Sequence, residues 1–222
     1  MSIAENLKKI TDTLPEGVQL VAVSKTKSEA EIMEAYQAGH RTFGENKVQE
    51  MVRKWEALPK DIHWHMIGHV QRNKVKYMAP FVSLVEGVDS LRLLKEIDKR
   101  GAQHNRVIDC LLQVHIARES TKFGFDEDEL RELLREGTPW ELGHVRIRGL
   151  MGMATFTDDM DRVRTEFRGL KDLYDALRAE KEGMDILSMG MSGDYRVAVE
   201  EGSTMVRIGS SIFGPRSCQL NG

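Results

Sequence analysis

DILSMGMSGDYRVAVEEGSTMVRIGSSIFGPR, residues 185–216, decides the fold. It opens with a short apolar run, DILSMG (185–190), continues through an amphipathic stretch, DYRVAVEEG, and returns to a second strand-like run, TMVRIGS (204–210), closed by the turn SIFGPR. A strand, a helical crossover and another strand in that order predict two parallel neighbours. Both runs end in glycine and serine, in SMGMSGD and RIGSSIFG. Glycine lets the backbone approach a ligand closely, and free N–H groups at the start of a helical turn favour an anion.

The same unit repeats toward the N-terminus. VRIRGLMGM (145–153) precedes the long helical pattern DDMDRVRTEFRGLKDLYDALRAEK, and RVIDCLLQVHI (106–116) precedes DEDELRELLREG. FVSLVEG (81–87) leads to SLRLLKEIDKRGAQ, capped by Asp89-Ser90, and IHWHMIG (62–68) leads to a basic helix, QRNKVKYMA. RTFG (41–44) leads to ENKVQEMVRKWEAL, and VQLVAVS (18–24) to SEAEIMEAYQAG, with Ser28 as N-cap and Gly39 as stop. One further helix, about residues 2–14, opens the chain. Eight strands, each followed by a helix or helical turn, predict an α/β chain closed into a single (β/α)₈ TIM barrel. No linker or composition shift divides it, so residues 1–222 are expected to form one domain.

The 32 basic and 35 acidic residues nearly balance, which gives no reason to expect nucleic acid or an anionic membrane as partner. Two cysteines, Cys110 in an apolar run and Cys218 in the polar tail, do not make a disulfide framework and suit a reducing cytoplasm. The start MSIAENLKKITDTL lacks a signal-peptide core, and no apolar run approaches the roughly 20 residues that span a bilayer. A cytoplasmic monomer is the expectation.

Active sites of such barrels lie at the C-terminal ends of the strands. Reading those ends gives Lys25, Glu45-Asn46, Gly68-His69, Glu86, His115, Met151 to Met153, Ser188 to Ser192 and Arg207 to Ser211, above strand bodies that read as apolar. The last two loops coincide with the recurrent phosphate site of this architecture. Lys25, after VAVS, would face that site across the mouth. An amine among apolar walls is poised to attack an aldehyde, whereas Lys27 reads as an ordinary solvated loop lysine. Arg207 would lie beside a ligand ring, bind phosphate, or pair with a carboxylate. A phosphate cup, a Schiff-base lysine and a cation for a ring nitrogen together describe pyridoxal 5′-phosphate (PLP).

At these residues the chain resembles the PLP-binding homeostasis protein family, related in fold to the barrel domain of alanine racemase. The resemblance runs through VAVSKTK, FGENKVQE, WHMIGHVQRNK, LLQV through TKFGF, RGLMGMA, LSMGMSGD and VRIGSSIFGPR. It implies the fold-type III barrel without its second β domain, and PLP held as an internal aldimine on Lys25. It implies further that Asn46 lies near the cofactor, that Ser192, Gly209 and Ser210 hold the phosphate, and that Arg207 faces the pyridine nitrogen. The chain departs from the family at His115, where asparagine is usual, and at Met66, where phenylalanine is common.

The implied role is a carrier in PLP homeostasis that buffers or delivers the cofactor, with apo PLP-dependent enzymes as recipients. The alternative is a PLP-dependent amino-acid racemase. A racemase needs an acid or base on each face of the substrate carbon. Tyr36, Tyr77, Tyr174 and Tyr195 all fall in predicted helices, leaving His69 or His115 as substitutes. A metal site at His63, His65 and His69 is weighed against core packing of the pair, and packing is preferred. Lys74 and Lys122 are open as sites of a second PLP adduct.

Overall fold

The computed structural model describes residues 2–117 and 123–215; Lys122 and Cys218 lie outside them. Eight parallel strands close in sequence order: β1 (Gln19–Val23), β2 (Thr42–Glu45), β3 (His63–Met66), β4 (Leu84–Val88), β5 (Ile108–Gln113), β6 (Val145–Met151), β7 (Ile186–Ser188) and β8 (Met205–Ile208). β8 closes on β1, with Ala22 opposite Ile208. Around them run α1 (Ile3–Thr11), α2 (Glu29–Gln37), α3 (Val48–Ala57), α4 (Val75–Met78), α5 (Leu91–Gln103), α6 (Glu127–Glu136), α7 (Met160–Glu180), α8 (Tyr195–Glu200) and α9 (Ser210–Phe213). The barrel expected from eight βα units is the fold observed.

The helix starts follow local chemistry. Ser28 accepts from Glu31 N while the Glu31 carboxylate returns to Ser28 N, and Asp126 and Glu129 do the same at α6. Ser90 caps α5 through Leu93 N. Gly39 takes φ +98 just past α2, as a helix stop requires. The basic segment after β3 is not one helix: a 3₁₀ turn at Arg72–Lys74 passes into the single α turn of α4. The opening helix ends at Thr11, short of the expected residue 14.

Two apolar layers form the core. The larger packs the outward faces of the strands against the helices, with Trp64, Phe43, Phe167 and Tyr174 buried in it. The smaller fills the bottom of the barrel with Val21, Leu84, Leu111, Met151 and Met205. Side chains two residues further along a strand share its face. Glu86 follows Leu84, Gln113 follows Leu111 and Arg207 follows Met205, so a polar layer sits on the apolar plug. The strand bodies are therefore not uniformly apolar, contrary to the sequence expectation. No helix among the described residues is long and apolar enough to cross a membrane.

Candidate functional site

Above the polar layer the barrel opens into a cavity of about 770 Å³. Lys25, Asn46, Ser192, Arg207, Gly209 and Ser210 all line it. The loop after β6 adds its rim from Met153 to Asp158, with Phe156 97 % exposed. Glu166 fixes that loop by accepting from Thr155 N and Oγ1, both at 2.7 Å.

Lys25 and the glycine-serine loops do not face each other across the mouth. Lys25 follows β1 and the two loops follow β7 and β8; β8 is the hydrogen-bonded neighbour of β1, so Lys25 and the last loop stand side by side. Paired strands lie about 4.8 Å apart. That is a suitable spacing for one small ligand to touch both. Gly209 sits tightly against β1: a Cβ there would meet Val23 O at 3.1 Å and Val23 Cβ at 3.2 Å, so Val23 would have to give way slightly. Its amide donates to Ser192 Oγ at 3.3 Å, which joins the two loops into one cup. The amides of Ser210 and Ser211 precede the first hydrogen bonds of α9, which run from Ile212 N and Phe213 N to Gly209 O.

Arg207 is 3 % exposed, at the cavity floor. Its Nη1 donates to Ser188 Oγ at 2.6 Å and its Nη2 to Gly152 O at 3.1 Å. Ser188 Oγ donates in turn to Glu86 Oε2 at 2.6 Å, and Glu86 Oε1 lies 2.9 Å from His65 Nδ1. Arg207 Nη1 stands 3.8 Å from Glu86 Oε2, so its charge is compensated from below. Burial lowers the guanidinium pKa, opposed by the carboxylates of Glu86 and Asp194. Burial alone would raise the Glu86 pKa, but the bond from His65, the charges of His65 and Arg207, and the Ser188 hydroxyl hold it below the usual range. Asp194, on the cavity wall, is raised by burial despite Met191 N and Arg207.

This His65–Glu86–Ser188–Arg207 chain was missed as a unit. Its sequence signal is a pair of opposite charges at inward positions of two buried strands, which must find each other or unfold the barrel.

Several expected positions fall elsewhere. His63, at the start of β3, is exposed and His65 is buried, so only His65 packs in the interior and the two are not a core pair. Among the described residues no three His, Cys, Asp or Glu side chains converge as metal ligands would. Lys27 is buried, not solvated: its Nζ donates to Phe213 O at 2.9 Å and pairs with Glu31 at 3.4 Å. His115 and His69 do not line the cavity; His69 Nδ1 lies 2.7 Å from Asp89 Oδ2. None of the four tyrosines lines it either. Lys74 lies away from it, beside the Tyr77 ring. Met66 is wholly buried, as is Cys110, whose thiol pKa burial pushes up.

The sequence profile described as "Alanine racemase, N-terminal domain" matches residues 1–217. A pyridoxal phosphate homeostasis protein of Aquifex aeolicus is 40 % identical over 219 residues, 96 % of this chain and 95 % of that one. One from Escherichia coli is 35 % identical, covering 96 % and 97 %. The structure of PipY of Synechococcus elongatus PCC7942 with PLP bound superposes with a TM-score of 0.87 at 35 % identity, covering 96 % of this chain and all of that one. An alanine racemase of Clostridium difficile 630 shares the fold at TM-score 0.77 and 13 % identity, and this chain spans 57 % of it.

Proposed function

This chain belongs to the pyridoxal phosphate homeostasis protein family, within the group that carries the alanine racemase N-terminal domain, and from that premise we propose that it holds PLP on Lys25 and buffers or delivers it, without robust catalysis of its own. The observation that carries this reading is the single cavity lined by Lys25, Asn46, Ser192, Arg207, Gly209 and Ser210.

PLP, when bound, supplies an aldehyde that condenses with a primary amine. Lys25 is the residue of the cavity that the family resemblance assigns to that amine. The Ser192 hydroxyl and the amides of Gly209 and Ser210 would take the phosphate, in a cup where a side chain at Gly209 would press on Val23. Asn46 would flank the ring. Arg207 would face the ring nitrogen, and a guanidinium has only donors. Beside it the nitrogen is best unprotonated, which leaves the ring a weak electron sink. That permits racemisation, where the proton returns to the same carbon, and argues against decarboxylase or transaminase chemistry. A racemase would need a second acid or base over the cavity; no tyrosine lines it, so that part would fall to Lys27, Asp158 or Asp194. The reading includes one barrel domain acting in the cytoplasm as a monomer, with apo PLP-dependent enzymes as recipients.

The test is the visible absorption of protein loaded with PLP and desalted, beside Lys25→Ala. A yellow band that borohydride bleaches while fixing the cofactor to the chain, absent from the variant, is expected. A wild type that takes up no PLP would end the proposal. Release of α-deuterium from labelled amino acids at catalytic rates, dependent on Lys25, would replace the carrier with a racemase.

A further inference from the structure

Behind Lys25, outside the mouth cavity, lies a second buried charge cluster. Lys54 of α3 is wholly buried. Its Nζ has three acceptors: Ser24 O at 2.7 Å, Glu45 Oε1 at 2.6 Å and Glu50 Oε1 at 2.8 Å. An ammonium has three hydrogens to give, so the group is fully used. Ser24 Oγ adds a bond to Glu45 Oε1 at 2.6 Å. Glu50 Oε1 also accepts Thr26 N at 2.7 Å. The cluster thus grips the backbone on both sides of Lys25, which itself lines the cavity.

The grip falls where regular structure stops. The ladder between β1 and β2 ends with Ser24 N donating to Gly44 O at 3.0 Å, and Lys27 N then returns to Ser24 O at 3.0 Å. Lys25 and Thr26 are therefore the two central residues of a tight turn. Thr26 has φ +65, at the position where such turns ordinarily take glycine. A β-branched residue in that region is strained and persists only where its surroundings determine it. Glu50 and Lys54 supply that determination.

Burying an ion trio is a poor route to stability, since apolar residues of similar volume often serve as well. Its placement on the turn that carries Lys25 points to another use. We propose that Lys54, with Glu45 and Glu50, is a positioning device that aims the Lys25 amine at the aldehyde of the bound cofactor. The inference rests on the role given to Lys25 above.

Two ligands separate aim from general binding. PLP needs the amine; pyridoxine 5′-phosphate has the same ring and phosphate but an alcohol in place of the aldehyde. In Glu50→Ala, affinity for PLP is expected to fall about tenfold or more, while affinity for pyridoxine 5′-phosphate stays within about twofold. The double variant Lys54→Met/Glu45→Gln, which leaves only the partly exposed Glu50 charged, should repeat the pattern and decides the matter if Glu50→Ala does not fold. Equal weakening of both ligands, or unchanged PLP binding in a folded variant, would overturn the device while leaving Lys25 as the attachment point. A wild type that binds pyridoxine 5′-phosphate and PLP alike, with Lys25→Ala no different, would instead remove the attachment itself.

Discussion

Lys54 shows what a single residue costs and why sequence reading passes it over. In VQEMVRKWEA the core-facing positions Val48 and Met51 lead, three residues on, to Lys54, where an apolar side chain is expected. A lysine at that step was the available signal, and a general sense that lysines are solvated hid it. The same assumption failed for Lys27, whose stem is buried while its ammonium reaches the carbonyl of Phe213. Lys25 and Arg207 were legible because strand ends nominate residues before any partner is known. Glu45 shows the electrostatic cost at this scale: burial raises its pKa even against Lys54 and Ser24, and Oε2 is buried with no hydrogen-bond partner among the described residues. Removing Lys54 alone leaves that carboxylate uncompensated, so Lys54→Met should cost about 3–5 kcal/mol of unfolding free energy. Pairing it with Glu45→Gln should recover a large part, a coupling of about 1–3 kcal/mol. Urea unfolding of the two single variants and the double gives the cycle, and strict additivity would show that the pair does not interact.

Elements were legible in number and order but not in length. Strand β5 was read to residue 116, whereas its ladder stops at Gln113 and Val114 makes only an isolated bridge to Phe125. Apolar residues continue past the ladder because Val114 and Ile116 still pack into the larger core, and periodicity does not distinguish such packing from a strand. The packing of the strand ends was also hidden, because glycines carry it. A Cβ on Gly68 would lie 2.7 Å from both Cα and Cβ of Asn46, and one on Gly87 would lie 2.6 Å from Gly68 O. The ends of β2, β3 and β4 thus meet backbone to backbone. Gly68→Ala should push Asn46 off its place at the mouth and weaken PLP binding about tenfold, with the fold kept; titration against wild type measures it. Gly149 answers a different need. It has φ +151 in β6, beside the register shift between Cys110 and Leu111, and a Cβ there would run into Ile186 O. Gly149→Ala has no accommodating movement short of opening β6 from β7. It should lose more than about 3 kcal/mol or fail to fold, as thermal unfolding would report.

At the scale of the whole barrel, closure and the site share one group. Glu86 joins β4 to His65 on β3, to Ser188 on β7 and, through Ser188, to Arg207 on β8, so half of the strands meet at one carboxylate. An ionised carboxylate only accepts, which requires the Nδ1 of His65 to carry a proton. Glu86 therefore holds the barrel interior together and anchors the Arg207 guanidinium at the cavity floor. Its folded pKa is depressed, so the unfolded chain binds the proton more readily. The resulting stability is fully present above the unfolded glutamate value of about 4.3 and is lost as pH falls through the lower folded value. The unfolding free energy of the wild type should decline with acid below about pH 4.3. Glu86→Gln should be less stable at neutral pH and have a shallower acid limb, because its side chain takes up no proton. Denaturant unfolding at a series of pH values compares the two limbs directly. Glu50, Asp61, Asp185 and Glu201 are also depressed and keep their own contributions, so the informative quantity is the difference in slope. Parallel limbs would mean that Glu86 titrates alike in both states, and the network would then be a fixed scaffold without a proton-linked share in stability.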